Sequence, residues 1–260
     1  MSARTALVVG GAGAIGAACV RALTADGLRV VLADLDESAA GQVAERTGAV
    51  GAVGIDVTSA DSVRDGVRRA VEILDGLDVA VNLAAIGGPP VRLHEYDDAG
   101  WERVVDVNLN GTFRCLREQV GAMLGTAGAA AGAGAGGSIV VVSSVGAGVG
   151  FAGAAAYSAT KHALTGLTRS AALEYAGDGI RINAVAPGFV DTGLLRSRRT
   201  DEEIAHLESA HPLGRLATVE EVAAVVAFLA SSAAGFVTGS CYGVDGGFLA
   251  GNANLLNRPE

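Results

Sequence analysis

The sequence has few cysteines, little clustered positive charge and no long block of strongly apolar residues. Its three cysteines are scattered and follow no zinc-ligand spacing, so they predict reduced thiols, no metal site and a cytoplasmic protein. The formal net charge is −9, and basic residues cluster only at Arg196–Arg199. This charge pattern argues against nucleic acid and anionic membranes as partners. A strand-like run starts at Thr5, so no signal peptide is expected.

Charged residues and histidines are absent from Gln119 to Thr160, a stretch of 42 residues. Glycine and alanine dominate this stretch, and it has no block of ~20 strongly apolar residues such as a transmembrane helix requires. Its middle, residues 125–137, is a Gly/Ala low-complexity segment. We expect an expanded, mobile loop there, between a helix and a strand.

A glycine-rich turn near the N-terminus follows a continuous apolar run, Ala6–Val9, which is typical of a buried parallel strand. A helical segment then extends to about Asp26. A strand, a glycine turn and a helix in this order form the context of a dinucleotide-binding loop, in which the backbone approaches a pyrophosphate at the helix N-terminus. The candidate cofactor residues here are Gly10, Gly13, Ala14, Ile15 and Gly16.

An acidic residue ends the second predicted strand. Asp34 lies 18 residues beyond Gly16, near the spacing at which a carboxylate accepts hydrogen bonds from the adenosine ribose. The same carboxylate would repel the 2′-phosphate of NADP, and no basic residue at positions 10–16 or 35–36 offsets it. The sequence therefore favours NAD over NADP, although a solvated turn aspartate is an alternative interpretation of Asp34.

Strand-like and helical segments alternate along the whole chain, without a linker or internal repeat. This alternation predicts an α/β fold: a doubly wound, Rossmann-type parallel sheet of about seven strands, with helices on both faces, in a single domain over residues 1–260. Residues 193–212 are polar and poorly patterned, and they predict a flexible lid. Strands are expected at about residues 6–9, 29–34, 49–56, 77–84, 138–143, 180–186 and 241–244.

One stretch carries the residues of an acid/base device. Ser144 follows a predicted strand, at the sheet edge where ligands bind in open α/β sheets. Tyr157 and Lys161 are four positions apart and share one face of the following helix. A phenol has a pKa near ~10, and an ammonium group within reach would lower that pKa. The alternative interpretation is that Tyr157 and Lys161 are an ordinary i,i+4 pair on a helix, without a catalytic role.

Together these segments resemble the short-chain dehydrogenase/reductase family, in its compact single-domain branch, over nearly the whole chain. The usual first turn of that branch is T-G-x-x-x-G-x-G, whereas this chain has Val9 and Ala14. The longer, epimerase-like branch fits the turn equally well, but the 13 residues after Gly247 leave no room for its C-terminal domain. The resemblance rests on Gly10–Gly16, Asp56–Val57, Asn82–Ala85, Asn108, Ser144, Tyr157–Lys161, Asn183–Gly188, Thr192 and Val244–Gly247.

The resemblance implies a role for each catalytic position. Tyr157 is expected to be the acid/base, and Lys161 to lower its pKa and bind the nicotinamide ribose. Ser144 would position the substrate oxygen, and Asn108 would hold a water that links Lys161 to solvent. By its place in a predicted helix alone, Asn108 would be solvent-facing or bonded to local backbone.

The resemblance also implies the remaining cofactor contacts and the assembly. Asp56 and Val57 would meet the adenine, and Thr192 with the backbone near Val190 would hold the carboxamide. The expected strand order is 3-2-1-4-5-6-7, and the expected assembly is a homotetramer, or a homodimer, with the helices around Asn108 and Tyr157 between subunits. Further cofactor-binding positions are Asn82, Ala84, Pro187 and Gly188.

The function expected from these residues is NAD-dependent interconversion of a secondary alcohol and its ketone. The candidate pocket wall is mostly apolar, which favours a hydrophobic, cyclic small molecule, and His94 lies either at its rim or in solvent. Two alternatives stay open: an NADPH-dependent ketoreductase of carrier-bound acyl groups, and a non-catalytic nucleotide-binding protein. The substrate-binding candidates are Ser144, Tyr157, Gly87, Val145, Phe151, Phe189, Leu194 and Leu195.

Overall fold

The computed structural model describes residues 3–127 and 136–251. These residues form a seven-stranded sheet in the order β3-β2-β1-β4-β5-β6-β7, and every neighbouring pair of strands is parallel. The predicted α/β class and strand order are confirmed. The strands are β1 (Thr5–Val9), β2 (Arg29–Asp34), β3 (Gly51–Gly54), β4 (Val79–Asn82), β5 (Ser138–Val142), β6 (Arg181–Pro187) and β7 (Cys241–Val244).

Helices cover both faces of the sheet. On one face α3, α5 and α6 pack against alternate strand residues such as Leu7 and Val9, and on the other face α1, α2 and α9 pack against Ala6 and Val8. Burial on both faces explains why the strands are continuous apolar runs. The helices are α1 (Ala14–Ala25), α2 (Glu37–Thr47), α3 (Ala60–Leu74), α4 (Asp98–Val105), α5 (Gly111–Ala127), α6 (Ala155–Tyr175), α7 (Gly193–Arg196), α8 (Asp201–Ser209) and α9 (Val219–Ala230).

Capping residues fix where several helices begin. The Thr218 side chain accepts a hydrogen bond from Glu221 N, and the Glu221 carboxylate accepts one from Thr218 N, so a capping box begins α9. Asp36 caps α2 by accepting from Ser38 N and Ala39 N. This cap lies two residues after Asp34, which ends β2 at the carboxyl edge of the sheet, and α2 begins one residue later, at Glu37.

Two regions differ from the sequence-based expectation. The segment at residues 193–212, expected to be irregular, contains α7 and α8, and Thr200 with Glu203 forms a capping box at the start of α8. Helix α5 extends to Ala127, into the expected 125–137 loop, and residues 128–135 of that loop lie outside the described residues. Within the described part of the chain, no helix is long and apolar enough to cross a membrane.

Candidate active site

A cleft of about 1560 Å³ runs along the carboxyl edge of the sheet. Its wall is built by the turn after β1, by the ends of β2, β3 and β4, and by the start of α7. Parallel strands bring their carboxyl ends to one edge, so residues far apart in the sequence meet there. The predicted cofactor residues on this wall are Gly10, Gly13, Ala14, Ile15, Gly16, Asp34, Asp56, Val57, Ala84 and Thr192.

Two glycines of the first turn have different structural roles: one allows close packing within the protein, and the other borders open space in the cleft. A Cβ on Gly16 would lie 2.6 Å from Gly10 O, so this glycine lets α1 pack on the turn. A Cβ on Gly13 would meet nothing nearer than 3.9 Å, and it would instead fill open space in the cleft. Gly13 also begins α1 without a side-chain cap, so the first-turn amides face the cleft uncapped. These features fit the pyrophosphate of a dinucleotide.

Asp34 stands at the end of β2, on the cleft wall. Its Oδ2 accepts a hydrogen bond from Ala12 N at 2.9 Å, and its Oδ1 accepts one from Leu35 N at 2.8 Å. These bonds fix the carboxylate while each oxygen keeps a further lone pair for a ligand hydroxyl. The next side chain, Leu35, is apolar and 71% exposed, so it offers no charge to a 2′-phosphate.

The turn after β3 forms another part of the wall. Asp56 Oδ1 accepts hydrogen bonds from Thr58 N and Thr58 Oγ1, which fixes the turn. Arg114 donates to Val57 O at 3.0 Å and pairs with Asp106 at 2.8 Å. Because Asp106 begins the turn that joins α4 to α5, this arginine connects two sides of the cleft.

Ser144, Tyr157 and Lys161 come together where β5 ends and α6 begins. Ser144 Oγ accepts a hydrogen bond from Gly146 N at 3.0 Å, and the Ser144 and Tyr157 side chains are hydrogen-bonded to each other. Lys161 is 3% exposed, and its Nζ donates to Val142 O at 3.1 Å and lies 5.6 Å from the centre of the Tyr157 ring. The structure thus assembles the predicted catalytic trio.

The electrostatics of the trio differ from the expectation. Burial lowers the pKa of Lys161 from 10.5 to about 8. Burial also raises the pKa of Tyr157, and the hydrogen bond from Ser144 opposes that rise. We expected the ammonium group to lower the phenol pKa, but desolvation is the largest effect on Tyr157 and raises its pKa.

Asn108 lies in a π-helical turn, Asp106–Asn110, rather than in a regular helix, and it is fully buried. Its Oδ1 accepts a hydrogen bond from Ile86 N at 2.8 Å, and its Nδ2 donates to Ile86 O and to Thr160 Oγ1. The Asn108 side chain therefore links the segment that follows β4 to α6, where its partner Thr160 directly precedes Lys161. Neither the solvent-facing nor the local-backbone interpretation of a mid-helix asparagine is correct for this residue.

Besides Tyr157 and Lys161, four predicted cofactor residues do not line the cleft. Asn82 is buried and exchanges hydrogen bonds with Gln119, at 2.8 and 2.9 Å, so its amide links β4 to α5. Pro187 ends β6, and Val190 is buried and bridges to Ala217. A Cβ on Gly188 would lie 2.7 Å from His211 Nε2, so this glycine makes room for an imidazole.

An aromatic wall, defined here as Phe151, Phe189 and Phe248, lies beside the catalytic trio. The ring centres are 5.9 to 6.4 Å apart. A Cβ on Gly146 would lie 3.3 Å from both Phe151 Cε2 and Tyr157 Cε1, and 3.5 Å from Ser144 Oγ, so these three side chains surround Gly146. Phe151 and Phe189 were predicted from the sequence, whereas Phe248 was missed.

The other substrate candidates occupy different environments. Leu194 lines the cleft and is 61% exposed, whereas Val145 is buried in the protein. Leu195 is half-buried at the start of α7, and Gly87 is exposed in the loop after β4. His94 is 70% exposed on its side chain and lies 3.9 Å from Glu95, in agreement with a solvated loop residue.

Within residues 3–127 and 136–251, no group of three or more histidine, cysteine or carboxylate side chains could hold a metal ion. The site itself supplies the hydroxyl and amino groups just described. A paired serine and tyrosine, a buried lysine and an adjoining dinucleotide-shaped cleft suit proton transfer at an alcohol or carbonyl oxygen.

Comparisons with known proteins agree with this geometry. A family model described as enoyl-(acyl carrier protein) reductase, from the short-chain dehydrogenase/reductase family, matches residues 10–249. The chain is 44% identical to a cis-4-hydroxycyclohexanecarboxylate dehydrogenase of Sinomonas cyclohexanicum, over 95% of this chain and 97% of that protein. It is 40% identical to a cyclohexanol dehydrogenase of Acinetobacter sp. (strain SE19), over 94% of each.

A solved structure, that of gox2181, superposes with a TM-score of 0.89 at 37% sequence identity, over 96% of this chain and 97% of that one. Sequence, fold and site geometry thus agree over nearly the whole length. The chain belongs to the short-chain dehydrogenase/reductase family and is an oxidoreductase of that family.

Proposed function

We propose that this chain is an NAD-dependent dehydrogenase that interconverts a ring-bearing secondary alcohol and its ketone. The observation that carries the proposal is that Phe151 of the aromatic wall and Tyr157 lie on the same glycine: a Cβ on Gly146 would be 3.3 Å from each of their rings. A ring packed on the wall would bring a hydroxyl on its edge to Ser144 and Tyr157.

Tyr157 is proposed to exchange the proton. In ketone reduction its hydroxyl donates a proton to the carbonyl oxygen, and in alcohol oxidation its phenolate accepts the hydroxyl proton. Ser144, already hydrogen-bonded to Tyr157, orients the substrate oxygen. The burial that raises the pKa of Tyr157 favours the protonated acid, so reduction is expected near neutral pH and oxidation at alkaline pH.

Lys161 and the glycine turn are proposed to hold the cofactor. Lysine has three donors, and only one is used by Val142 O at 3.1 Å, which leaves donors for a ribose hydroxyl. Gly13 leaves space for the pyrophosphate, and Asp34 would accept from the adenosine ribose. The Thr192 hydroxyl accepts from Leu195 N and can still donate to a carboxamide. NAD, when bound, would accept the hydride that leaves the alcohol carbon.

An uncharged ring suits this site better than a carboxylate. The wall is made of phenylalanines, and Arg196, at the end of α7, is already engaged by both carboxylate oxygens of Asp191, at 2.6 and 2.7 Å. Both named relatives are dehydrogenases of six-membered-ring alcohols, one of which carries a carboxylate. We therefore propose cyclohexanol-like neutral alcohols as the substrate class.

A second candidate is an NADPH-dependent ketoreductase of carrier-bound acyl groups. The description of the matching family model names a carrier-bound acyl substrate as well, but for reduction of an enoyl double bond. Asp34 at the ribose position argues against it. The basic cluster that an acidic carrier would need is also partly occupied, because Arg196 pairs with Asp191 and Arg199 pairs with Glu203.

We also propose a cytoplasmic homotetramer. Helices α5 and α6 expose large apolar side chains, including Phe113 and Leu173, whose exposed fractions are 47% and 83%. Such side chains are suited to helix packing between subunits. Size-exclusion chromatography with light scattering would give the mass of the assembly, and a monomer would contradict this proposal.

The test of function is NADH formation at alkaline pH with cyclohexanol, cis-4-hydroxycyclohexanecarboxylate and acyclic secondary alcohols, with NAD and NADP compared side by side. We expect the highest kcat/KM with NAD and the neutral ring alcohol, and no turnover in Tyr157→Phe. A preference for NADPH and β-ketoacyl thioesters would instead favour the carrier-bound ketoreductase. Nucleotide binding without turnover of any substrate would favour a non-catalytic role.

A further inference from the structure

His211 is a buried histidine whose two ring nitrogens are both bonded to backbone. It is 2% exposed. Its Nε2 accepts a hydrogen bond from Phe189 N at 3.2 Å, and its Nδ1 lies 2.7 Å from Leu207 O. This pattern assigns the neutral tautomer with the proton on Nδ1, because only that form accepts from Phe189 and donates to Leu207.

The two backbone partners belong to different parts of the fold. Phe189 follows β6 at the carboxyl edge of the sheet, and Leu207 lies in α8. The imidazole therefore joins α8 to the sheet edge. The glycines on either side accommodate the ring, because a Cβ on Gly188 would lie 2.7 Å from Nε2 and a Cβ on Gly246 would lie 3.4 Å from His211 Cβ.

The same imidazole also packs on the aromatic wall. Its ring centre lies 5.8 Å from that of Phe189, in an edge-on arrangement at 87°, and 5.5 Å from that of Phe248. Phe248 is held in place from its own side, because Asp245 accepts hydrogen bonds from Gly247 N and Leu249 N. The wall thus gathers residues from three segments, and His211 touches two of its three rings.

We propose that His211 is a positioning residue for the alcohol substrate. By holding Phe189 and α8 together behind the aromatic wall, it fixes the surface on which the substrate ring packs. This inference rests on the proposed function for its kinetic consequence. His211 is not a second acid or base, because both of its ring nitrogens are hydrogen-bonded to backbone groups and Tyr157 is the proposed proton donor and acceptor.

The test uses two variants that each keep one of the two bonds. Glutamine reaches the position of Nε2, so His211→Gln keeps an acceptor for Phe189 N–H. Asparagine reaches the position of Nδ1, so His211→Asn keeps a donor for Leu207 O and leaves Phe189 N–H unpaired. An unpaired buried donor is costly, so we expect KM for cyclohexanol to rise roughly tenfold in His211→Asn. In His211→Gln we expect a rise of only about twofold, with kcat and KM for NAD near wild type in both variants.

A second readout needs no substrate. Amide hydrogen exchange at Phe189 should be faster in His211→Asn and close to wild type in His211→Gln, with melting temperatures as the control for global unfolding. Equal KM values and equal exchange in the two variants would overturn the inference, as would a matching rise in KM for NAD. If the wild type oxidises no ring alcohol, the proposed function fails, and exchange at Phe189 still decides whether His211 holds the wall.

Discussion

Replacing Lys161 with methionine should stabilise the folded protein while it abolishes activity. Methionine has a similar length and no charge, so it can occupy the same buried space. Burial lowers the pKa of Lys161 from 10.5 to about 8. At about 1.4 kcal/mol per pKa unit, the buried ammonium group costs the folded state about 3 kcal/mol at pH 7. Loss of the hydrogen bond to Val142 O offsets about 1 kcal/mol, so the expected net gain is about 2 kcal/mol.

The pH dependence of that gain gives a sharper test. The folded-state pKa of Lys161 lies below its unfolded value, so the cost is fully present below about pH 8 and disappears as the pH rises toward 10.5. Urea unfolding of both proteins at pH 7 and pH 9 should show the difference in unfolding free energy shrinking by about 1 kcal/mol. A variant that is less stable at pH 7, or a difference that does not vary with pH, would refute the reasoning.

The pKa itself can be measured directly. Lys161 is the only lysine among the 260 residues. Selective isotope labelling of lysine therefore gives a single side-chain signal, whose chemical shift can be followed with pH by nuclear magnetic resonance. We expect a midpoint near 8 in the free protein. A midpoint near the ordinary value of 10.5 would show that the ammonium group is solvated and would remove the basis of the stability prediction.

Three further predictions concern the cofactor cleft and the core. Gly13→Ala should leave the unfolding free energy within about 0.5 kcal/mol of wild type and weaken NAD binding, measured by titration, more than tenfold. Gly16→Ala should instead lower the melting temperature, because its Cβ would lie 2.6 Å from the backbone. Equal effects of the two variants on binding and on stability would contradict this. Asp34→Ala should lower kcat/KM for NAD and leave NADP little changed, and an equal loss with both cofactors would argue against ribose recognition. Gln119→Leu should lower the free energy of unfolding, measured in urea, by about 1–3 kcal/mol, because it leaves the buried Asn82 amide unpaired. An unchanged free energy of unfolding would show that the Asn82–Gln119 pair does not stabilise the fold.

Local patterns were sufficient to predict much of this fold. Apolar runs predicted the strands because both faces of the sheet are buried. The start of α9 is also marked by a local pattern, because the capping box of Thr218 and Glu221 is a contact between near neighbours. The same signal was present at Thr200 and Glu203, where it could have predicted α8 within the supposed lid. Resemblance to a family supplied the strand order, which no local pattern contains.

Contacts between distant residues could not be predicted in this way. Asn82 and Gln119 are 37 positions apart, and Asn108 and Thr160 are 52 apart, so nothing near either residue in the sequence indicates its partner. His211 stood within a polar segment and gave no sign that it is buried. Phe248 directly follows Gly246 and Gly247, both with positive φ, and that turn could have signalled a chain reversal toward the site.

The single lysine also limits which groups can change charge when the protein is assayed at alkaline pH. The other cationic side chains that stay charged near neutral pH are arginines, which keep their charge well above pH 10. Burial raises the pKa of both Cys19 and Cys115 to about 12, so these thiols stay protonated. These arginines and thiols therefore keep their charge states from pH 7 to pH 9. The ammonium group of Lys161, whose pKa is about 8, changes charge within that interval, so a change in rate there would report on it.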